Sequence, residues 1–142
     1  APQSRYPDCY GIDMAKMGDF IAFQAAIDLH KERGNEALID KVYNACIEEL
    51  KKPFAEQGNM VKPIYENLTP EETSDKISAL LTPANMKAEV RIIYQGIQGL
   101  HAAIPNHKGD WYFTGNFPTP GGNRVVNRAF VFWKEGRTDR AY

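Results

Sequence analysis

The sequence is short of most features that advertise chemistry. It has only two cysteines, Cys9 and Cys46, far apart in the chain. Two cysteines do not make a disulfide framework, so a reducing, cytoplasmic setting is the expectation. Neither sign of charge is in excess: 17 Lys and Arg stand against 18 Asp and Glu, a net charge of −1. That balance excludes a nucleic-acid binder built on a broad basic face and an acidic solvating tail. No apolar run is long enough to cross a bilayer. No charged-then-apolar-then-small pattern opens the chain, so neither a membrane partner nor a secretory signal is expected. The sequon Asn67-Leu68-Thr69 then has no consequence.

Catalytic signatures are missing too. There is no Gly-x-Ser-x-Gly nucleophile elbow, no Gly-x-Gly-x-x-Gly and no phosphate-loop Gly-Lys-Ser/Thr. His30, His101 and His107 show no i, i+4 pairing and no cysteine at zinc-ligand spacing, so no metal site is expected. His101, in an apolar helix, reads as a satisfied, half-buried residue. Glu48-Glu49 and Glu71-Glu72 fall in amphipathic helices, where a solvated face accounts for them. Asp13 stands at a break between extended chain and helix; it caps that helix or faces a ligand, and capping is the simpler local reading.

What remains fits one domain of 142 residues, with no internal repeat and no low-complexity segment. The opening Arg5–Asp13 stretch, broken by Pro7 and Gly11, suits an edge strand or an extended arm. From Met14 to Arg33 the apolar spacing is helical through Phe20, Ile21, Ala25 and Leu29, with Gly34 as the stop and Asn35 as the next cap. A second helix is predicted over 36–52, with a ridge of Leu38, Val42, Cys46 and Leu50, a Glu48–Lys52 pair, and Pro53 as its end. A loose segment follows. Thr69, Pro70 and Glu72 then spell a capping box with proline at the first helical position, and Ile77, Leu80 and Leu81 are the expected buried face. Ala88–Gln95 (AEVRIIYQ) reads as the best strand, Ile97–Ile104 as a short helix, and DWYFTG (110–115) as a second short strand. The last helix is predicted from Gly122 or Asn123, with Val126, Ala129, Phe130 and Trp133 on one face.

One constellation suggests a ligand. PTPGGNR places Gly121, Gly122 and Asn123 just before that helix, with Arg124 and Arg128 one turn apart. A helix start with free N–H groups and a nearby arginine can hold an anion. The two glycines equally suit a plain turn.

Two segments resemble one enzyme family. RYPDCYGIDM (Arg5–Met14) is similar to the (F/Y)PxxYGIDM stretch of amidophosphoribosyltransferases, the glutamine phosphoribosylpyrophosphate amidotransferases. FTGNFPTP (Phe113–Pro120) is similar to the CFTGxYPT stretch near the C-terminal end of the same enzymes, and the passage AEVRIIYQGIQGLHAAI between them resembles the family's strand-then-helix. The order of the three is the family's. The helical region of about 19–83 is longer than typical and looks like an insertion found in one bacterial lineage. The resemblance implies an α/β, helix-rich fold: the C-terminal part of a phosphoribosyltransferase-type domain, with few short strands and about five helices. It implies the step that converts phosphoribosyl pyrophosphate and glutamine to phosphoribosylamine, opening purine synthesis, with magnesium in the parent enzyme.

The family's glutaminase domain and its Ser-Ile-Val-Arg-Gly-Thr-Thr phosphoribosyl loop would lie upstream of Ala1. No catalytic residue is therefore expected within this chain, which by itself is expected to be inactive. The start APQSRYP, without Met, reads as a cut end, although removal of Met before Ala1 accounts for it as well. Where some members carry cluster cysteines, this chain has Asp8, Gly109 and Tyr112, and Cys9 is one place off, so no iron–sulfur cluster is expected. The sequence after Pro118 departs from the common family ending. The expected partners are the remainder of the parent enzyme and further copies in a homo-oligomer. The alternative is a stand-alone helical module that docks a protein through its aromatic patch, a reading that exposure of Trp111 and Trp133 would favour, and a regulatory nucleotide site is a third reading with no residues assigned.

Overall fold

The computed structural model describes residues 1–7, 15–106 and 109–142. Cys9, Asp13 and His107, and most of the RYPDCYGIDM stretch, lie outside them. Among the described residues the chain is all helical, with no strand. A 3-10 turn, Met17–Asp19, leads into α1 (Ile21–Glu32) and α2 (Glu36–Leu50); a second, Phe54–Glu56, precedes the single turn α3 (Pro63–Glu66). Then come α4 (Pro70–Leu81), α5 (Ile97–Ala103), the single turn α6 (Trp111–Thr114) and α7 (Pro120–Lys134). None is long and apolar enough to cross a membrane.

Helix α7 is the centre of the body. Val125, Val126, Asn127, Ala129, Phe130, Val131 and Phe132 are all buried on it. It packs chiefly on α2 through Ile39, Val42 and Cys46. Phe23 of α1 closes the contact, its ring edge-on to Phe130 at 5.9 Å and to Trp133 at 4.8 Å. Helix α4 leans on the other side of α1, where Ala22 and Ala25 let Ile77 approach closely. Its start is the capping box the sequence spells. The Glu72 N–H donates to Thr69 Oγ1, and the Thr69 N–H to Glu72 Oε2, both at 3.1 Å.

The α/β expectation is overturned. Residues 88–95 do alternate: Val90, Ile92 and Tyr94 are half-buried while Glu89, Arg91, Ile93 and Gln95 are exposed. A strand also needs a neighbour at about 4.8 Å to pair with, and among the described residues no strand is present to supply one. Instead the Ile92 N–H donates to Ser78 Oγ (2.9 Å) and the Gln95 N–H to the Ala1 carbonyl (3.2 Å). DWYFTG is not a strand either. The Asp110 carbonyl accepts from the Phe113 and Thr114 N–H groups and from Thr114 Oγ1, which closes a helical turn.

Smaller corrections have local causes. Residues 15–20 are not α-helical, because Phe20 holds an extended backbone just before α1. Leu80 and Leu81 are 42% and 50% exposed, since α4 turns Thr73, Ile77 and Ser78 inward. Helix α2 stops at Leu50, so Lys52 misses Glu48; Lys51 takes Glu48 (2.7 Å) and Lys52 takes Glu49 (2.8 Å). Helix α7 starts at Pro120, two or three residues early, because proline suits the first helical position.

The loop 57–61 is tied to α2 and α7 by buried polar groups. The Asn127 amide donates to the Gly58 carbonyl (2.7 Å) and accepts the Met60 N–H (3.0 Å). Glu49, which the sequence places on a solvated face, is 5% exposed and accepts the Gly58 N–H at 2.9 Å. Asn127→Leu leaves the half-buried Gly58 carbonyl and Met60 N–H without their partner. It is expected to cost about 3 kcal/mol or more, measured by urea unfolding. Burial pushes the Glu49 carboxyl up, but its bonds to Lys52 and Gly58 outweigh this and its pKa is lowered. Its contribution is therefore full above the ordinary carboxylate range, about pH 4.3. It fades as pH falls through the lowered folded value. Glu49→Gln is expected to lower stability at pH 7 and to flatten the stability profile through that acid window.

Candidate functional site

The residues nominated at the start of α7 are brought to one helix end, but each is engaged in packing. A Cβ on Gly122 would lie 2.3 Å from Phe117 Cδ1, so this glycine exists to admit that ring. Gly121 lies in the first turn against Phe54 and Thr119. Asn123 Nδ2 donates to the Gln57 carbonyl at 2.9 Å. The arginines sit over different rings: Arg124 over Phe54 at 5.8 Å, Arg128 over Phe132 at 5.4 Å. The run is thus mainly a turn and a helix start.

The other isolated candidates are structural. His30 is buried and donates from Nε2 to the Ile64 carbonyl (2.7 Å), leaving Nδ1 to accept from the Asn35 amide (3.3 Å). His101 is half-buried, as the sequence suggests, with Nε2 3.0 Å from Asp110 Oδ2. Burial pushes the Cys46 thiol up to about 12, with Glu49 adding to it, and it faces Asn127 Oδ1 at 3.7 Å; it is no nucleophile at neutral pH. No group of three metal-ligating side chains occurs among the described residues.

The more constructed locus is one the sequence does not announce. The N-terminal arm, residues 1–7, has no regular structure, yet Gln3, Tyr6 and Pro7 are buried. The Arg5 and Tyr6 N–H groups both donate to the Tyr112 carbonyl, at 2.8 and 3.2 Å. The Tyr6 ring meets Phe117 edge-on at 6.4 Å and Tyr65 at 5.3 Å. Gly115 turns the chain beneath Tyr6 with φ of +74°, and a Cβ there would lie 2.8 Å from Tyr6 Cζ and 2.7 Å from Asn59 Nδ2. Burial raises the Tyr6 and Tyr65 hydroxyls well above the ordinary phenol range, with Arg5 pulling the other way, so both stay neutral. Tyr65 donates its hydroxyl to the Arg5 carbonyl at 2.9 Å.

From the same arm a polar relay runs to α4. Gln3 Nε2 donates to the Pro70 carbonyl (2.9 Å) and to Ser74 Oγ (2.8 Å), and Gln3 Oε1 accepts from Arg5 Nη2 (2.8 Å) and Nε (3.3 Å). The Arg5 guanidinium also lies over the Tyr65 ring at 5.0 Å. The relay borders a cleft of about 310 Å³ between the arm, α4 and residues 91–97. No periodicity marks Gln3, Arg5 or Ser74, so sequence pattern had no means of finding them. Trp111, Phe113 and Trp133 are all half-buried.

Gly115→Ala strains a left-handed backbone position and pushes on Tyr6. It is expected to destabilise by about 2 kcal/mol or more and to release the arm, seen as faster amide exchange at Arg5 and Tyr6. Arg124→Ala, which removes only a stack on an exposed ring, is expected to cost under about 1 kcal/mol.

No protein-family model, no curated protein and no solved structure was found to match this chain.

Proposed function

We propose that this chain is the C-terminal region of an amidophosphoribosyltransferase, the enzyme that makes 5-phosphoribosylamine from phosphoribosyl pyrophosphate and glutamine. One observation carries the reading. The described start of the first family-like stretch packs against the second: Arg5 and Tyr6 are hydrogen-bonded to Tyr112, the residue just before Phe113, and the Tyr6 ring is seated on Gly115 and Phe117. A resemblance at both ends of a contact is harder to reach by accident than at two unrelated places.

On this reading the chain does no bond-making. Ammonia released from glutamine by an upstream cysteine attacks the ribose C1; pyrophosphate leaves with the bonding electron pair, and the nitrogen loses a proton. The residues of that chemistry belong to the upstream glutaminase part and phosphoribosyl loop, and magnesium would accompany the diphosphate there. The contribution of this chain is positional. The upstream loop would end a short distance before Ala1, and the buried Gln3 and Tyr6 anchor the backbone that leaves it. The helical body then serves as the fixed support of that exit, in a cytoplasmic homo-oligomer.

The direct test is the reading frame upstream of the Ala1 codon. A cysteine-led glutaminase domain and a Ser-Ile-Val-Arg-Gly-Thr-Thr loop are expected in frame. A stop codon with a local start would overturn the assignment and leave the helical interaction module. In the full-length enzyme, Tyr6→Ala is expected to lower kcat/KM for phosphoribosyl pyrophosphate about tenfold through loop misplacement. The isolated chain is expected to show no turnover with ammonia.

A further inference from the structure

The cleft beside the arm stands apart from that assignment. Its floor is the relay Arg5–Gln3–Ser74, in which Gln3 is 4% exposed and every polar atom of its side chain is engaged. A guanidinium placed over the Tyr65 ring and clasped by Gln3 Oε1 through Nε and Nη2 is pre-organised, and among the described residues Nη1 and the second Nη2 proton are uncommitted. That outer edge is the fork that takes a carboxylate in two parallel hydrogen bonds. Arg91 lines the same cleft, and among the described residues neither arginine has an ion pair. Glu71 and Asp75 line it from α4, one residue after Pro70 and Ser74, the two anchors of Gln3. Neither of these carboxylates has an ion pair among the described residues. Two uncompensated cations and two uncompensated anions thus border one volume.

This arrangement selects by charge. A multiply charged anion such as phosphate gains at Arg5 and Arg91 but meets Glu71 and Asp75. A simple cation meets the converse. A molecule with one charge of each sign satisfies both walls, and its carbon chain can lie along the apolar surface offered by Ile97 and Phe113. We propose that this cleft binds a small zwitterion of the amino-acid class, its carboxylate on the Arg5 fork and its ammonium toward Glu71 and Asp75.

The test is a calorimetric titration of the whole 142-residue chain with 6-aminohexanoate, hexanoate, hexylammonium and inorganic phosphate. Saturable binding of 6-aminohexanoate is expected, with each of the others about tenfold weaker or more. Arg5→Gln is expected to weaken 6-aminohexanoate and hexanoate alike. Glu71→Gln combined with Asp75→Asn is expected to weaken 6-aminohexanoate while tightening hexanoate, a reversal that loss of structure cannot produce. Arg91→Ala, at an exposed position, serves if Arg5→Gln fails to fold, and is expected to weaken hexanoate as well. The proposal is overturned if no 6-aminohexanoate binds, if hexanoate or phosphate binds as tightly, or if the charge-removing variants leave its affinity unchanged.

Discussion

The structure depends on the Asn127 amide, buried in the middle of its central helix. Helix α7 must carry its apolar side chains into a body whose other walls include an irregular loop, and a loop brings backbone groups that need partners. Asn127 supplies them, giving one hydrogen bond to Gly58 and taking one from Met60. Glu49 does the same from α2, accepting the Gly58 N–H. With the loop fixed, Val61 and Ile64 are fully buried beneath it. The Ile64 carbonyl in turn accepts from His30 of α1. One amide thus connects α7 to a chain of contacts that reaches α1 and α2, and apolar packing completes it.

The arm is held by a similar economy. It has no secondary structure to satisfy its backbone, so its groups are met singly. The Tyr112 carbonyl takes two N–H groups, the Tyr65 hydroxyl meets the Arg5 carbonyl, and Gln3 spans to α4. Because these partners come from three separate parts of the chain, the arm settles only once the helical body exists. The proposed role as an anchor for an upstream loop and the proposed zwitterion cleft both draw on this property. Each needs a few side chains held rigidly at the surface of a packed body, and neither needs a catalytic group of its own.

Helices were legible where one short segment contains its own reasons. Thr69, Pro70 and Glu72 specify a helix start through bonds within four residues, and the structure forms those bonds. The ridge of α2 and the face of α7 follow from periodicity, although Ile39 and Glu49 join the buried set beyond the predicted ridge. The strands were misread for the opposite reason. AEVRIIYQ has β-branched residues and a period of two, but a strand is completed by a neighbour, and no described residue supplies one. Asn127 gave a faint signal, a polar residue of modest helix propensity inside an apolar face. Gln3 and Arg5 gave none, because their partners on the helical body lie sixty or more positions away.

The sequence by itself determined the capped start of α4, the helical periodicity of α1, α2 and α7, and the absence of recognised catalytic or metal-ligand spacing, because these depend on residues a few positions apart. Only the tertiary structure decided that no sheet forms among the described residues, that Glu49 is buried rather than solvated, and that Gly122 makes room for Phe117. It also decided that Arg5 and Tyr6 meet Tyr112 and Phe117. Each of these turns on which distant surface a side chain encounters, and the encounter is fixed by packing the whole body, to which local pattern carries no pointer.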